Sequence, residues 1–313
     1  MYRLLPIFIL LMFGNCGTSS IEDTPIWDTD IPESEDFDAE NPEWNIDGSK
    51  IYFQHTDFSD QQNIIHNNIW SYDFTTQQRE NVYKGNAYNA DVFKTGEKLV
   101  FHFPYPPFGI YEYNVMGDST SQLTDVEGVN EYRNVIGGRY SPDYKSILSY
   151  VFAGDPRGII VMDSTGANPK MVVEFGIMGR WFPGGKKIVY VGWSVETQSG
   201  QIFEIEIDGT NKKQLTSLKN TSALAGPAVS PDGDQIVFTN VDDESRTELY
   251  LLDFTSGEIK QITNGVGSAN GASWSPDGSR VAFTRIFLDG EKRLYQLDMK
   301  TYEVKPIFQN NEQ

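Results

Sequence analysis

The stretch WSPDGSRVAF at residues 274–283 recurs, with variation, five more times along the chain. The related segments are WNIDGSKIYF (44–53), VFKTGEKLVF (92–101), YSPDYKSILS (140–149), WFPGGKKIVY (181–190) and VSPDGDQIVF (229–238). Successive segments begin 41 to 48 residues apart. A period in the mid-forties is typical of the four-stranded blade of a β-propeller. The repeat therefore predicts six blades.

Each repeat also contains two further segments with strand character, an apolar one and a shorter one. In the first repeat they are IWSYD (69–73) and ENVYK (80–84), and in the fifth they are LYLLD (249–253) and KQITN (260–264). The second strands are mostly continuous apolar runs, which is typical of sheets covered on both faces. We therefore predict an all-β fold, a six-bladed β-propeller over residues 41–313 with four antiparallel strands per blade.

The Pro-Asp-Gly element of the repeats predicts a tight turn. Proline presets φ and glycine accepts positive φ, so the innermost strand can reverse into the second strand at this element. The aspartate is then a structural residue. The Trp, Tyr or Val that opens each repeat is expected to fill the wedge between blades. Because six repeats leave no spare strand, we expect the first and last blades to meet without a strand exchanged between the termini.

The N-terminus has the features of an export signal. Arg3 supplies a positive charge, residues 4–13 form a short apolar region, and Cys16, the only cysteine of the chain, follows soon after. This arrangement predicts a signal peptide over residues 1–15 and lipidation at Cys16. Asn15 departs from the small residue that lipoprotein signals have before the cysteine. The alternative is a secreted protein in which the cysteine is buried.

An acidic segment follows the signal. Residues 17–40 contain nine Asp and Glu residues and no Lys or Arg. Like charges at this density keep a segment extended, so residues 16–40 are predicted to be a flexible tether. The segment is either a plain spacer or, by similarity to surface lipoproteins of Bacteroidetes, an address for the outer face of the outer membrane. The whole chain has a formal charge of −19 and no basic stripe, so a nucleic acid partner is not expected.

The repeats WSPDGSRVAF and VSPDGDQIVF resemble those of the TolB propeller family and of related periplasmic and peptidase-associated propellers. The resemblance covers residues 41–313. It implies an outer-membrane lipoprotein, facing the periplasm or the cell surface, that binds an envelope protein, a peptide or a glycan as a scaffold. TolB itself carries an α/β domain before its propeller, and the acidic tether is expected to stand in that place. A role like that of TolB in the Tol–Pal system is therefore not expected.

Enzymes with similar propellers suggest an alternative to the binding function. Similar propellers occur in prolyl oligopeptidases, but the chain contains no G-x-S-x-G motif for a nucleophilic serine. Oligogalacturonate lyase also has a similar propeller and, by this resemblance, holds a metal with several histidines. The histidines of this chain are His55, His66 and His102, and three histidines can hold a catalytic metal. Scattered loop histidines are more often locally hydrogen-bonded. We therefore expect a binding protein without a cofactor, and a metal-dependent carbohydrate-active enzyme is the alternative.

The longer loops indicate where a ligand would bind. Loops between second and third strands, and connections between blades, are expected to share one face. Their candidate ligand-binding residues are Tyr105, Phe108, Tyr132, Arg133 and Trp193. Arg139 and Arg180 directly precede the opening residues of neighbouring repeats, and we expect them at the funnel mouth, where two guanidinium groups can clamp a carboxylate. The alternatives are aromatic loops that pack on themselves and arginines that pair with Glu131 or Glu174.

Overall fold

The computed structural model describes residues 37–59, 64–103, 108–124, 134–153, 155–219, 224–241 and 246–308. These ranges form six sheets, and each sheet consists of four consecutive antiparallel strands. The predicted all-β fold, a six-bladed propeller with four antiparallel strands per blade, is confirmed.

The strands of each blade follow one another from the innermost to the outermost position. Blade one contains β1 (Ala39–Trp44), β2 (Lys50–Ser59), β3 (Ile64–Asp73) and β4 (Gln78–Tyr83). Blade two contains β5 (Tyr88–Phe93), β6 (Lys98–His102), β7 (Ile110–Asn114) and β8 (Ser119–Gln122). Blade three contains β9 (Val135–Tyr140), β10 (Ser146–Val151), β11 (Gly158–Asp163) and β12 (Lys170–Glu174). Blade four contains β13 (Ile177–Trp181), β14 (Lys187–Ser194), β15 (Ser199–Glu206) and β16 (Lys213–Gln214). Blade five contains β17 (Ala225–Val229), β18 (Gln235–Val241), β19 (Thr247–Asp253) and β20 (Ile259–Gln261). Blade six contains β21 (Ser268–Trp274), β22 (Arg280–Ile286), β23 (Lys292–Asp298) and β24 (Val304–Pro306).

The Pro-Asp-Gly turns are held by their own side chains, as predicted. In blade five, Ser230 Oγ donates to Asp232 Oδ1 at 2.5 Å, and the same oxygen accepts the N–H of Asp234 at 3.1 Å. In blade six the equivalent hydrogen bond from Ser275, together with the turn's backbone N–H, lowers the pKa of Asp277 to about 2. An aspartate used in this way stabilises the turn, and its role is structural.

A Gln-x-Thr sequence ties the outermost strand to the third strand. In blade five, Thr263 Oγ1 accepts the N–H of Leu249 at 2.8 Å, and Gln261 Nε2 donates to the Thr263 carbonyl at 2.8 Å. Thr124 in blade two and Thr216 in blade four repeat both contacts with their own neighbours. These hydrogen bonds extend the sheet past the point where the ladder of the short fourth strand ends.

The residue that opens each repeat lies between blades, as expected. Trp274 is buried, and its indole Nε1 donates to the carbonyl of Ala228 in the preceding blade at 3.0 Å. Trp181 makes the same contact with the carbonyl of Arg139 at 3.1 Å. However, these tryptophans end the innermost strands β21 and β13 and do not begin them. Residues just before an opening residue therefore lie toward the face of the Pro-Asp-Gly turns, away from the long loops.

Every innermost strand has a β-bulge that the repeat did not predict. The register of the first two strands shifts at the same place in all six blades. Three residues before each opening residue, the backbone has a positive φ, between 50° and 71°, at Asn41, Asn89, Gly137, Met178, Gly226 and Gly271. At Gly137 a Cβ would also lie 2.8 Å from a ring carbon of Tyr150. Because Asn41, Asn89 and Met178 adopt a similar φ in other blades, the close contact with Tyr150 is what sets Gly137 apart, and the positive φ adds to the cost of a side chain there.

The ring closes by packing between the first and last blades. The N–H of Lys292 in blade six donates to Asp38 Oδ1 at 3.1 Å, and the N–H of Asn41 in blade one donates to Thr284 Oγ1 at 3.0 Å. Buried Phe308 belongs to one core cluster with apolar residues of both blades. Across the described ranges no strand is exchanged between blades, as expected.

The folded body begins earlier than the predicted boundary at residue 41. Strand β1 starts at Ala39, and the ring of Phe37 stacks on His55 with centroids 4.0 Å apart. The last four residues of the predicted tether therefore belong to the propeller. The predicted signal peptide (1–15) and Cys16 lie outside the described residues. Within the described part of the chain, no helix has the length and apolar character needed to span a bilayer.

Candidate functional site

One residue from each innermost strand contributes to a layer around the central channel. It is the residue directly before the opening residue of each repeat, and we name this layer the channel ring: Glu43, Asp91, Arg139, Arg180, Ala228 and Ser273. Two acidic and two basic side chains face one another in it. When all four are ionised, their charges cancel.

Glu43 connects the ring across the channel. Its Oε1 lies 3.3 Å from Nη2 of Arg139 and 3.2 Å from Nη2 of Arg180. Its Oε2 accepts a hydrogen bond from Ser273 Oγ at 3.1 Å. Glu43 belongs to blade one, whereas the arginines belong to blades three and four. One carboxylate from the first blade therefore holds the opposite side of the propeller and the last blade.

The structure brings Arg139 and Arg180 together, but in a different place from the one expected. They lie near the ends of their strands, toward the Pro-Asp-Gly turns, and not at a mouth formed by the long loops. The carboxylate that they share is that of Glu43, and neither arginine pairs with Glu174. Glu131, the other expected partner, lies outside the described residues.

The two arginines differ in what they contact. Arg139 is 7% exposed, and its Nη1 donates to the carbonyls of Asn89 at 2.9 Å and Ala90 at 3.1 Å. This makes Arg139 a cross-link between blades two and three. The side chain of Arg180 is 26% exposed, although it lies deep within the propeller, because it borders an internal cavity. Of the two, Arg180 is the one that a ligand can reach.

Burial perturbs the titration of the ring. Asp91 Oδ2 accepts the N–H of Tyr140 at 2.6 Å, and burial raises the pKa of Asp91 to about 6, an effect that Arg139 opposes. Burial likewise lowers the pKa of Arg180 to about 10. Protonation of Asp91 in mildly acidic solution leaves the ring with one net positive charge.

A cavity of about 340 Å³ lies on the loop side of the channel ring. All six innermost strands line it, mainly through their bulges, and Arg180 contributes to its floor. Ser149 in β10 borders the same cavity, but its hydroxyl is buried away from it and has no hydrogen-bond partner among the described residues. The amide side chains of Asn41, Asn89 and Asn270 belong to residues that line the cavity as well.

A second feature lies on the loop-rich face, the face that carries the loops between second and third strands and the connections between blades. Large apolar side chains of blades three and four are exposed there, and we name them the apolar patch: Phe152, Phe175, Ile177, Met178, Trp193 and Val195. Trp193 is 63% exposed and Val195 is 81% exposed. Ile177 pairs with Val191, two residues before Trp193 on β14, so Ile177 and Trp193 lie close together in the patch.

Of the remaining predicted site residues, two lie at the apolar patch and three lie outside the described residues. Phe108 packs against Phe152 with ring centroids 5.1 Å apart, which places it beside the apolar patch. Trp193 is a member of that patch. Tyr105, Tyr132 and Arg133 lie outside the described residues.

Two of the three histidines of the metal-enzyme alternative have other partners. His102 Nδ1 accepts the N–H of Gly137 at 3.4 Å, and burial lowers the pKa of His102 to about 4. His55 Nδ1 lies 2.5 Å from the carbonyl oxygen of Asp38. His66 lies in β3, outside the part of the chain whose side chains are described. Among the described residues, no group of three or more His, Cys, Asp or Glu side chains could hold a metal ion.

The residues that sequence reasoning missed are Glu43, Asp91 and Asn270. The first two occupy the same repeat position as Arg139 and Arg180, directly before the opening residue. Comparing that position across all six repeats would have shown two acids and two bases in equivalent places. Asn270 carries no such signal, because it is singled out only by the cavity that it lines.

Comparison with known proteins agrees with this architecture. A sequence model of the TolB β-propeller domain matches residues 144–313, more than half of the chain. The crystal structure of TolB from Acinetobacter baumannii is 19% identical, with a TM-score of 0.62, and the match covers 76% of this chain and 57% of that one. The structure of a putative TolB from Agrobacterium tumefaciens is also 19% identical, with a TM-score of 0.65 and coverage of 76% and 86%. Oligogalacturonate lyase in complex with manganese is 16% identical, with a TM-score of 0.57 and coverage of 85% and 91%.

These structural similarities are those of fold, and this chain spans little more than half the length of the Acinetobacter protein. The match of the domain model, by contrast, covers blade three from its second strand onward and all of blades four to six, including the Pro-Asp-Gly turns of blades five and six. The chain belongs to the TolB β-propeller domain family.

Proposed function

We propose that this protein is a lipid-anchored binding protein of the Gram-negative cell envelope, which docks a partner protein on its loop-rich face. The observation that supports this proposal is the apolar patch of blades three and four. Its exposed side chains are gathered on one face, whereas the large apolar side chains exposed on the opposite face among the described residues are Ile46, Met116 and Ile207. A clustered apolar surface of this kind is typical of a protein interface.

The chemistry of the patch favours a protein partner over a glycan. A tryptophan can stack on a sugar ring or anchor a protein interface, but Ile177, Met178 and Val195 are aliphatic and offer no hydrogen bonds. Arg157 lies beside the patch, with its guanidinium carbon 5.3 Å from the ring centre of Phe175. An apolar surface with a cationic rim suits a partner that presents apolar side chains flanked by acidic ones.

The position of the chain start relates the patch to the proposed anchor. The innermost strands run from the loop-rich face toward the turns, so the chain enters β1 from the loop-rich face at Phe37. Twenty residues separate Cys16 from Asp36, and a fully extended segment of that length reaches at most about 70 Å at ~3.3–3.6 Å per residue. A lipid on Cys16 would therefore hold the propeller near the membrane and leave the patch free to meet a partner.

Photo-crosslinking in cells tests the proposal. A photoreactive amino acid replaces Trp193, and the matched control replaces Met116, which is 92% exposed on the opposite face. We expect a discrete protein adduct from position 193 and none from position 116, because a docked partner covers only the loop-rich face. Adducts of equal yield from both positions, or none from position 193, would contradict the proposal.

A further inference from the structure

We propose that the central cavity binds a small hydroxylated carboxylate, of the size of a single sugar acid, whose carboxylate is taken by Arg180. This site adjoins the apolar patch at Met178, which lines the cavity, but it does not rest on partner docking. Its floor is the channel ring, and its walls are the bulges of the innermost strands.

Arg180 has donors to spare for such a ligand. Its Nη2 contacts Glu43 at 3.2 Å, and its Nε and Nη1 have no acceptor among the described residues. Because part of its side chain borders the cavity, these donors can be reached from within it. Guanidinium N–H groups in a planar fork bind a carboxylate through two parallel hydrogen bonds. Glu43 and Arg139 hold the fork in place from below.

Amide side chains provide contacts of a different kind. Asn41, Asn89 and Asn270 line the cavity. A ligand hydroxyl can donate to an amide oxygen or accept from an amide N–H. A site that combines one guanidinium with amide groups favours a hydroxy acid over a plain carboxylate and over a neutral sugar.

The net charge around the cavity and the cavity volume further restrict the class of ligand. The charges of the ring cancel, and the other ion pair beside the cavity, between Glu40 and Lys292 at 2.8 Å, is also balanced. One negative charge can therefore be accommodated, and protonation of Asp91 compensates for it in mildly acidic solution. The cavity volume of about 340 Å³ is near the lower end of the range for small-molecule sites, which suits a monomer and not a polymer.

Isothermal titration calorimetry on the mature protein tests the proposal with D-galacturonate and D-glucuronate as probes. D-galactose, D-glucose and acetate serve as the comparison set. We expect at least one uronate to bind, and the matching neutral sugar to bind at least about tenfold more weakly, because it lacks the charge-assisted contact to Arg180. Acetate should also bind more weakly, because it lacks the hydroxyls that reach the amides of Asn41, Asn89 and Asn270.

Two variants assign the site, and a third serves as the control. Arg180→Gln should abolish uronate binding. Asn270→Ala should weaken it about fivefold or more, because the lining amide no longer contacts a ligand hydroxyl. Lys145→Gln, at a side chain that is 83% exposed on the face of the Pro-Asp-Gly turns, should leave binding unchanged. The proposal is wrong if no uronate binds at millimolar concentration, if the neutral sugars bind equally well, or if Asn270→Ala retains full affinity. Should Arg180→Gln fail to fold, the Asn270→Ala result decides.

Discussion

Replacing Glu43 by Gln should destabilise the propeller strongly, although the two side chains have nearly the same shape. The carboxylate of Glu43 is the shared partner of Arg139 and Arg180 and accepts a hydrogen bond from Ser273. The amide keeps an acceptor oxygen but removes the negative charge. Two guanidinium groups then remain close together inside the propeller, with Asp91 as the remaining acid of the ring.

The size of the effect follows from the burial of these groups. Removing one partner of a buried ion pair costs about 3–5 kcal/mol of unfolding free energy. For a folded body of about 270 residues, an unfolding entropy of about 2.1 cal/mol/K per residue amounts to about 0.57 kcal/mol/K. The melting temperature should therefore fall by about 5–9 °C.

Calorimetry and denaturant unfolding of matched variants measure the predicted losses of melting temperature and unfolding free energy. The control is Glu303→Gln, which removes an exposed ion pair with Lys305 at 3.0 Å and should change the stability by less than about 1 kcal/mol. The double variant Glu43→Gln/Arg180→Gln should be more stable than the sum of the single effects predicts, because it also removes one of the unpaired charges. If Glu43→Gln costs no more than the control, or the two ring substitutions are additive, the channel ring does not hold the blades together.

Three further predictions concern acid sensitivity, anchoring and backbone conformation. His102→Thr, which introduces the residue found at the equivalent position of blade six, should make the stability less sensitive to acid. The pKa of His102 is about 4 in the folded protein, below the ordinary 6.5, so on acidification the unfolded chain binds the proton first. The unfolding free energy of the native protein should therefore fall by about 2 kcal/mol between about pH 7 and pH 5. Denaturant titrations at both pH values check this, and an equal loss in the variant would contradict it. Cys16→Ser should release the protein from membranes, because firm anchoring needs several acyl chains; cell fractionation with mass spectrometry checks this, and membrane retention of the serine variant would argue against lipidation. Gly137→Ala should cost at least about 1–3 kcal/mol, because φ is +71° there and the new Cβ would lie 2.8 Å from Tyr150; an unchanged melting temperature would show that the bulge tolerates a side chain.

The architecture could be predicted because propeller blades repeat both their strands and their turns. The segment that carries the turn between the first two strands occurs six times, in the form Pro-Asp-Gly in blades five and six, and it marks where each innermost strand reverses. Its six copies predicted the blade count, and the two further strand segments of each repeat predicted four strands per blade. The absence of strand exchange between the described parts of the first and last blades also followed from the count.

The position of the candidate site was harder to predict. The residues that open the repeats, such as Tyr140 and Trp181, end the innermost strands, and this depends on strand register, which the repeat alone does not reveal. Arg139 and Arg180 were therefore expected at the wrong end of the channel. The prediction that the two arginines lie close together was correct, because equivalent residues of neighbouring blades share one layer. Their partner Glu43 lies 96 residues before Arg139 and 137 residues before Arg180, and only the closed ring brings it close.

The proposal of a docking face is tested most directly by the affinity of the partner protein identified by crosslinking at position 193. Its dissociation constant is measured with the native protein, with Trp193→Ala and with Met116→Ala. Truncation of a central aromatic anchor typically costs 2 kcal/mol or more, so Trp193→Ala should weaken binding by about 30-fold or more. Met116→Ala, on the opposite face, should leave the affinity unchanged. Equal affinities for all three proteins would contradict the assignment of the loop-rich face as the binding surface.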